Sequence, residues 1–60
     1  MQQWIVVLVT QLGFVRISER RHDCFDAAMR ERREYADTGE IIVRKFTYNE
    51  INALQPRHYS

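Results

Sequence analysis

Hydrophobic residues occupy both odd and even positions near the start of the chain, from Trp4 to Val9. The run is rich in β-branched residues, which fit a pleated surface, and it predicts a strand over residues 4–10. A strand in a small sheet that carries one helix needs only one apolar face. The doubled apolar pattern therefore raises the question of what covers the other face.

A second strand is predicted over residues 14–20, where apolar and polar positions alternate. The glycine before it, Gly13, can adopt the positive φ that suits a hairpin between the two strands. Hydrophobic residues reappear at Ile41, Ile42 and Val43 and predict a third strand over residues 40–46.

Between the second and third strands the hydrophobic period changes from two residues to that of a helix. Asp23 is the predicted N-cap and Gly39 the predicted stop. The predicted buried stripe has the spacing i, i+3, i+4, i+7, i+11 and comprises Phe25, Ala28, Met29, Arg32 and Ala36. Arg32 lies within this stripe, so we expect its stem to pack while its guanidinium extends to the sheet edge.

The end of the chain carries a short helix signal. Thr47 and Glu50 have the spacing of a capping box, Pro56 ends the segment, and residues 57–60 are predicted to fray. The predicted fold class is α+β. It is a small three-stranded antiparallel sheet with one helix packed on one face, in the order β-β-α-β, followed by the short C-terminal helix. Residues 1–60 are expected to form a single domain.

The sheet is expected to have one face under the main helix and one face opposite it. The residues predicted under the helix are Ile5, Val7, Val9, Val15, Ile17, Ile41 and Val43. The residues predicted on the opposite face are Trp4, Val6, Leu8, Phe14, Arg16, Ile42, Arg44 and Phe46. Exposed apolar patches on the order of several hundred Å² rarely occur in monomers without a use, so we expect a cover.

Three covers for the opposite face follow from the sequence. The first is the terminal segment 48–54, with Ile51 and Leu54 as its contacts. The second is another copy of the chain, which we favour over the terminal segment because Asn49 and Glu50 make that segment a poor apolar lid. The third is a foreign protein, since aromatic and arginine side chains dominate interface hot spots. The predicted partner-binding residues are Trp4, Phe14, Arg16, Arg44 and Phe46.

Aromatic and arginine side chains on a sheet face are also used by modules that stack nucleic-acid bases. A formal net charge of +1 gives the chain no general attraction to phosphate. A nucleic-acid-binding module is therefore the alternative function, and a structural homodimerising domain is another.

No catalytic, metal-binding or cofactor-binding pattern is recognisable in the sequence. His22 and Cys24 lie two residues apart, but a pair of neighbours defines neither a nucleophile with its base nor a zinc site. We expect no enzyme activity and no cofactor. A single cysteine favours a reducing cytoplasm, and no apolar run approaches the ~20 residues of a membrane helix.

Several positions in the second half of the chain resemble the small T7-type phage inhibitor of host RNA polymerase. The matching residues are Asp26, Ala27, Tyr35, Gly39 and Arg44, in a chain of comparable length with a tryptophan in its first strand. The resemblance implies a phage protein that docks on bacterial RNA polymerase in the host cytoplasm and blocks initiation.

Two features of the sequence depart from that family. The family carries alternating arginines on its last strand; Arg44 matches the first of them, whereas Phe46 stands at the position of the second. The family's helix is acidic, whereas this helix contains Arg30, Arg32 and Arg33. The target surface is therefore expected to differ in charge from that of the family.

Overall fold

The computed structural model describes residues 2–56, which form one sheet with a helix on each of its faces. In chain order the elements are β1 (Gln2–Thr10), β2 (Gly13–Arg16), α1 (Phe25–Arg32), a 3₁₀ turn (Arg33–Tyr35), β3 (Ile41–Thr47), α2 (Tyr48–Ala53) and β4 (Gln55–Pro56). The strand order is β3-β1-β2-β4. The predicted α+β class and the three antiparallel strands are confirmed, and β4 adds a short parallel strand beside β2. The predicted fraying of residues 57–60 lies outside the described residues.

The β1–β2 hairpin closes around a two-residue loop, because Thr10 pairs directly with Gly13. The hydroxyl of Thr10 donates to the Gly13 carbonyl at 2.8 Å and accepts from the amide of Leu12 at 3.1 Å. Gly13 has φ +117°, as the sequence predicts for this turn. These local bonds fix the register of the two strands.

β2 ends at Arg16, four residues before the predicted end of the strand. The Arg16 side chain donates to the carbonyls of Ser18 and Glu19 at 3.0 and 2.9 Å, and these bonds hold the chain in a loop. Such side-chain bonds offer the backbone an alternative to the ladder. The chain returns to β1 only at His22, whose backbone forms a bridge with Trp4.

The face of the sheet under α1 carries Trp4, Val6 and Leu8 of β1, so the predicted phase of this strand is wrong. Leu8 lies opposite Val15 on one side and Ile41 on the other, and cross-strand partners share a face. The residues of β2 and β3 on the α1 face are therefore the predicted ones. From β1, however, this face carries the residues that were predicted on the opposite face. This single shift also separates Trp4 from the remaining predicted binding residues.

The opposite face is covered by α2. Ile51 is 1% exposed and packs with Ile5, Val7 and Phe46, while Leu54 lies at the margin of the same cluster. The capping box is present: the Thr47 hydroxyl accepts from the Glu50 amide and the Glu50 carboxylate accepts from the Thr47 amide. A six-residue helix is therefore a sufficient lid, contrary to our expectation from its polar composition.

The main helix is shorter than predicted at both ends. Its N-cap is Cys24 and not the predicted Asp23, whose carboxylate instead accepts a hydrogen bond from the Gln3 side chain at 3.1 Å. After Arg32 the helix tightens into the 3₁₀ turn. Gly39 then adopts φ +157°, and a Cβ there would lie 2.9 Å from a methyl of Leu8. Gly39 thus allows the backbone to pass close to the α1 face of β1.

Candidate functional site

Three of the five predicted binding residues form one cluster on the α2 side of the sheet. The Arg44 guanidinium carbon lies 5.0 Å from the ring centroid of Phe14 and 5.5 Å from that of Phe46. The two rings meet edge to face, with their centroids 5.8 Å apart. Both distances from the guanidinium lie within the range of a cation–π contact. We refer to Phe14, Arg44 and Phe46 as the aromatic–arginine cluster.

Burial differs strongly within the aromatic–arginine cluster. Phe46 is 5% exposed, Phe14 is half-buried and Arg44 is exposed. The rings thus form a base on which a solvent-facing cation rests. Packing against two rings restricts the long Arg44 side chain, which reduces the conformational entropy that a partner would have to remove on contacting it.

The other two predicted binding residues have different surroundings. Arg16 lies on the α2 face, but the hydrogen bonds described above commit its guanidinium to the carbonyls of the loop after β2. Trp4 lies on the α1 face, where its ring meets Phe25 edge to face at 5.2 Å and the Lys45 ammonium lies 5.6 Å above it. The prediction that Trp4 shares a surface with the other four residues is therefore wrong.

The outer edge of β3 lies beside the aromatic–arginine cluster and pairs with no strand among residues 2–56. In an antiparallel pair the backbone groups of successive residues point alternately toward and away from the partner strand. The amide of Val9 donates to the carbonyl of Glu40 at 2.9 Å, and Trp4, opposite Lys45, exchanges its backbone bonds with His22 instead. The backbone groups of Lys45 therefore point outward.

The same alternation determines the direction of the backbone groups along the rest of β3. Ile42 and Arg44 direct their N–H and C=O groups toward β1, whereas Val43 and Lys45 direct theirs to the outer edge. At each of the two ends, a side chain satisfies one outward group: the Arg32 guanidinium donates to the Ile41 carbonyl at 2.9 Å and the Glu50 carboxylate accepts from the Thr47 amide at 2.8 Å. The predicted position of the Arg32 guanidinium at the sheet edge is thereby confirmed.

The central part of this edge is thus open, and at each end a side chain already binds one backbone group. Two N–H and two C=O groups, those of Val43 and Lys45, remain without a strand partner within the described residues. We call these four groups the open β3 edge. Their spacing of two residues matches the repeat at which an added strand forms its hydrogen bonds.

A hydrogen-bond network around a buried glutamate near the end of α1 was not anticipated from the sequence. Glu31 is 2% exposed; its carboxylate accepts from the Ser18 hydroxyl at 2.6 Å and lies 2.7 Å from Nε2 of His22. Arg20 lies 3.7 Å from the same carboxylate. Glu31 falls three residues after Ala28 and four before Tyr35, so an alternative helical stripe in the sequence could have indicated its burial.

The Glu31 network ties elements together and does not resemble a nucleophilic site. The carboxylate stands between the hydroxyl and the imidazole, whereas a serine–histidine–acid triad requires the imidazole between the other two groups. No group of three or more His, Cys, Asp and Glu side chains suited to a metal ion occurs within residues 2–56. Cys24 is an exposed, free cysteine.

Over the described part of the chain, no helix has the length and apolar character needed to cross a membrane. Comparison with protein-family models, curated proteins and solved structures found no significant match to the chain.

Proposed function

We propose that this chain is a non-catalytic protein-binding module that inhibits an enzyme by occupying part of its surface. The observation that carries the proposal is the open β3 edge beside an exposed Arg44 that rests on two aromatic rings. An unpaired edge offers directional hydrogen bonds, and a restricted arginine offers a charged contact.

In the aromatic–arginine cluster and the open β3 edge, the exposed groups are polar, and the two aromatic rings pack mainly against other parts of the protein. Phe46 is 5% exposed beneath α2, and the guanidinium of Arg44 lies over Phe14. Bases stack on open ring faces, so this geometry favours a protein partner over the nucleic-acid alternative. Coverage of the α2 face likewise removes the apolar patch that motivated a homodimer.

The proposed partner is a host bacterial enzyme such as RNA polymerase, and the proposed setting is phage infection, with binding in the host cytoplasm. This part of the proposal is supported by the resemblance of the helix and third strand, including Arg44, to the phage inhibitors described above.

The experiment is a binding titration of the fluorescently labelled chain with purified bacterial RNA polymerase, together with a promoter-dependent transcription assay. We expect binding and inhibition by the natural chain, and loss of both for Arg44→Glu. Arg33→Glu is the matched control, because it makes the same charge change at an exposed position of the 3₁₀ turn, outside both β3 and the aromatic–arginine cluster. Equal affinities of the two variants would contradict the proposed surface.

Two further measurements separate the alternatives. An electrophoretic mobility shift with single-stranded oligonucleotides at low salt tests nucleic-acid binding, which should weaken as salt screens phosphate contacts. A shift sensitive to Arg44→Glu, without binding to the polymerase, would replace the proposed function by the nucleic-acid alternative. Light scattering over a range of concentrations reports self-association.

A further inference from the structure

We propose that the open β3 edge receives an extended acidic segment of the partner as an added antiparallel strand. This inference rests on the proposed protein-binding function and specifies how the partner is recognised. The open groups belong to Val43 and Lys45, which flank Arg44 in the middle of the strand. Strand addition of this kind takes affinity from main-chain bonds and specificity from alternate side chains.

The length of the segment follows from the bonds already made at the two ends of the edge. The Arg32 side chain satisfies the Ile41 carbonyl and the Glu50 side chain satisfies the Thr47 amide. An added strand therefore finds both the N–H and the C=O free at Val43 and at Lys45, about 7 Å apart along the strand, whereas the Ile41 carbonyl and the Thr47 amide are already bound. Three consecutive residues of a partner, opposite positions 43 to 45, are enough to satisfy all four groups.

The chemistry of the segment follows from the side chains along this part of β3. Arg44 and Lys45 are both exposed and point to opposite faces of the sheet. Residues directly opposite each other in a ladder have Cβ atoms about 4.5–5.5 Å apart, so carboxylates at two successive partner positions can reach one cation on each face. Val43 is half-buried and favours an apolar residue opposite it. Read from its N-terminus, the segment is acidic–acidic–apolar.

A second copy of the chain does not meet these requirements. A two-fold pair centred on Arg44 places this residue opposite itself, and a pair centred on Lys45 does the same with lysine. Like charges directly opposite one another destabilise a ladder. A pair centred on Val43 needs the outward groups of Ile41, whose carbonyl is already bound by Arg32.

The test uses the peptide acetyl-Thr-Glu-Glu-Val-Thr-amide and amide hydrogen exchange of the natural chain followed by NMR. At a peptide concentration about ten times its Kd, the Val43 and Lys45 amides should exchange about tenfold more slowly, since exchange then proceeds mainly from the free fraction. The matched peptides are one with lysine in place of both glutamates and one N-methylated at its valine. Neither should protect the two amides.

Protein variants provide a second readout. Lys45→Pro removes one outward N–H without removing a bond to β1, because proline is accepted on edge strands when its nitrogen faces outward. Lys45→Gln removes the charge and keeps the N–H. Polymerase binding should fall further for Lys45→Pro than for Lys45→Gln, with both variants checked for folding by their NMR spectra.

The outcomes separate this inference from the proposed function. If Arg44→Glu abolishes polymerase binding but the peptide leaves the edge amides unprotected and the two Lys45 variants bind equally, the proposed function stands and strand addition is wrong. If the polymerase does not bind but the acidic peptide protects both amides, the named target is wrong and strand addition stands. Protection of the amides by the chain alone, rising with its concentration, would assign the edge to a second copy and overturn the inference.

Discussion

The carboxylate of Glu31, on α1, lies 2.7 Å from Nε2 of His22, whose backbone is paired with Trp4 of β1. The same carboxylate accepts a hydrogen bond from the hydroxyl of Ser18, which lies in the loop after β2. One buried side chain thus joins the helix, the loop and the first strand. It compensates for the early end of β2, because residues 17–21 have few ladder bonds of their own.

Removal of this carboxylate is expected to lower stability. Glu31→Ala leaves the Ser18 hydroxyl and the His22 ring without their partner, at about 1–3 kcal/mol for each unsatisfied group. Urea denaturation gives the change in the free energy of unfolding. Glu34→Ala is the control: its side chain is 54% exposed and pairs with Arg20, so it should cost no more than about 1 kcal/mol. Equal losses for the two variants would show that Glu31 has no special role.

The α2 lid is expected to depend on one side chain. Ile51→Ala should lower the free energy of unfolding by about 2–5 kcal/mol, because Ile51 is 1% exposed against Ile5, Val7 and Phe46. Asn52→Ala, at an exposed position of the same helix, should have little effect. Thermal and urea unfolding measure both variants. A small effect of Ile51→Ala would mean that α2 does not cover this face in solution.

Coverage of the apolar face by α2 also predicts whether the chain associates with itself. Because α2 covers the apolar face, the intact chain should scatter light as a monomer at all concentrations, whereas a chain truncated after Thr47 should aggregate. A truncated chain that remains monomeric, or an intact chain whose mass rises with concentration, would contradict this prediction.

The capping box should make stability depend on pH in the acid range. The hydrogen bond from the Thr47 amide, aided by the Thr47 hydroxyl and by Arg44, holds the pKa of Glu50 below its ordinary value. A lowered pKa stabilises the folded state above the unfolded-state value, about 4.3, and this stabilisation is lost as the pH falls through the folded-state pKa. Glu50→Gln should therefore be less stable than the natural chain at pH 7.

The comparison is made by measuring Tm for both chains from neutral pH downward. The difference in Tm should begin to narrow as the pH falls below the unfolded-state value of about 4.3, and protonation of the folded-state carboxylate at lower pH should complete the loss. A difference that stays constant into strong acid would indicate that the charge of Glu50 contributes nothing to the cap.

Amide exchange of the free chain should alternate along β3. Ile42 and Arg44 direct their amides toward β1 and should exchange slowly, while Val43 and Lys45 should exchange much faster. Residue-resolved NMR exchange measures all four amides in one experiment. Slow exchange of Val43 and Lys45 in dilute monomer would show that the edge is already occupied.

The sequence alone determined the order of elements and several local features. The alternation of β2 and the Thr47–Glu50 capping box each depend on neighbours within a few residues, and the structure contains both. Gly13 likewise has the positive φ expected of its turn. Local patterns of this kind predict the structure well because the interacting groups lie close together in the chain. The predicted helical stripe is only partly correct, because Ala28 is buried whereas Phe25 and Ala36 are exposed.

The tertiary structure decided the phase of β1 and the cover of the second face. A strand that is apolar at every position from Trp4 to Val9 has no periodic signal to say which side faces a helix. Only the pairing of Leu8 with Val15 and Ile41 sets it. The same pairing places Trp4 on the α1 face, opposite the rest of the predicted binding surface.

Two further properties arose only from contacts between distant segments. Glu31 reads as an ordinary charged residue of a basic helix, and its burial depends on Ser18 and His22 arriving beside it. The open groups of Val43 and Lys45 depend on which strand lies beside β3 and in which register. Hydrogen bonding between strands is a property of their pairing, so the residue types in β3 could indicate a binding surface but not where along the edge its free backbone groups lie.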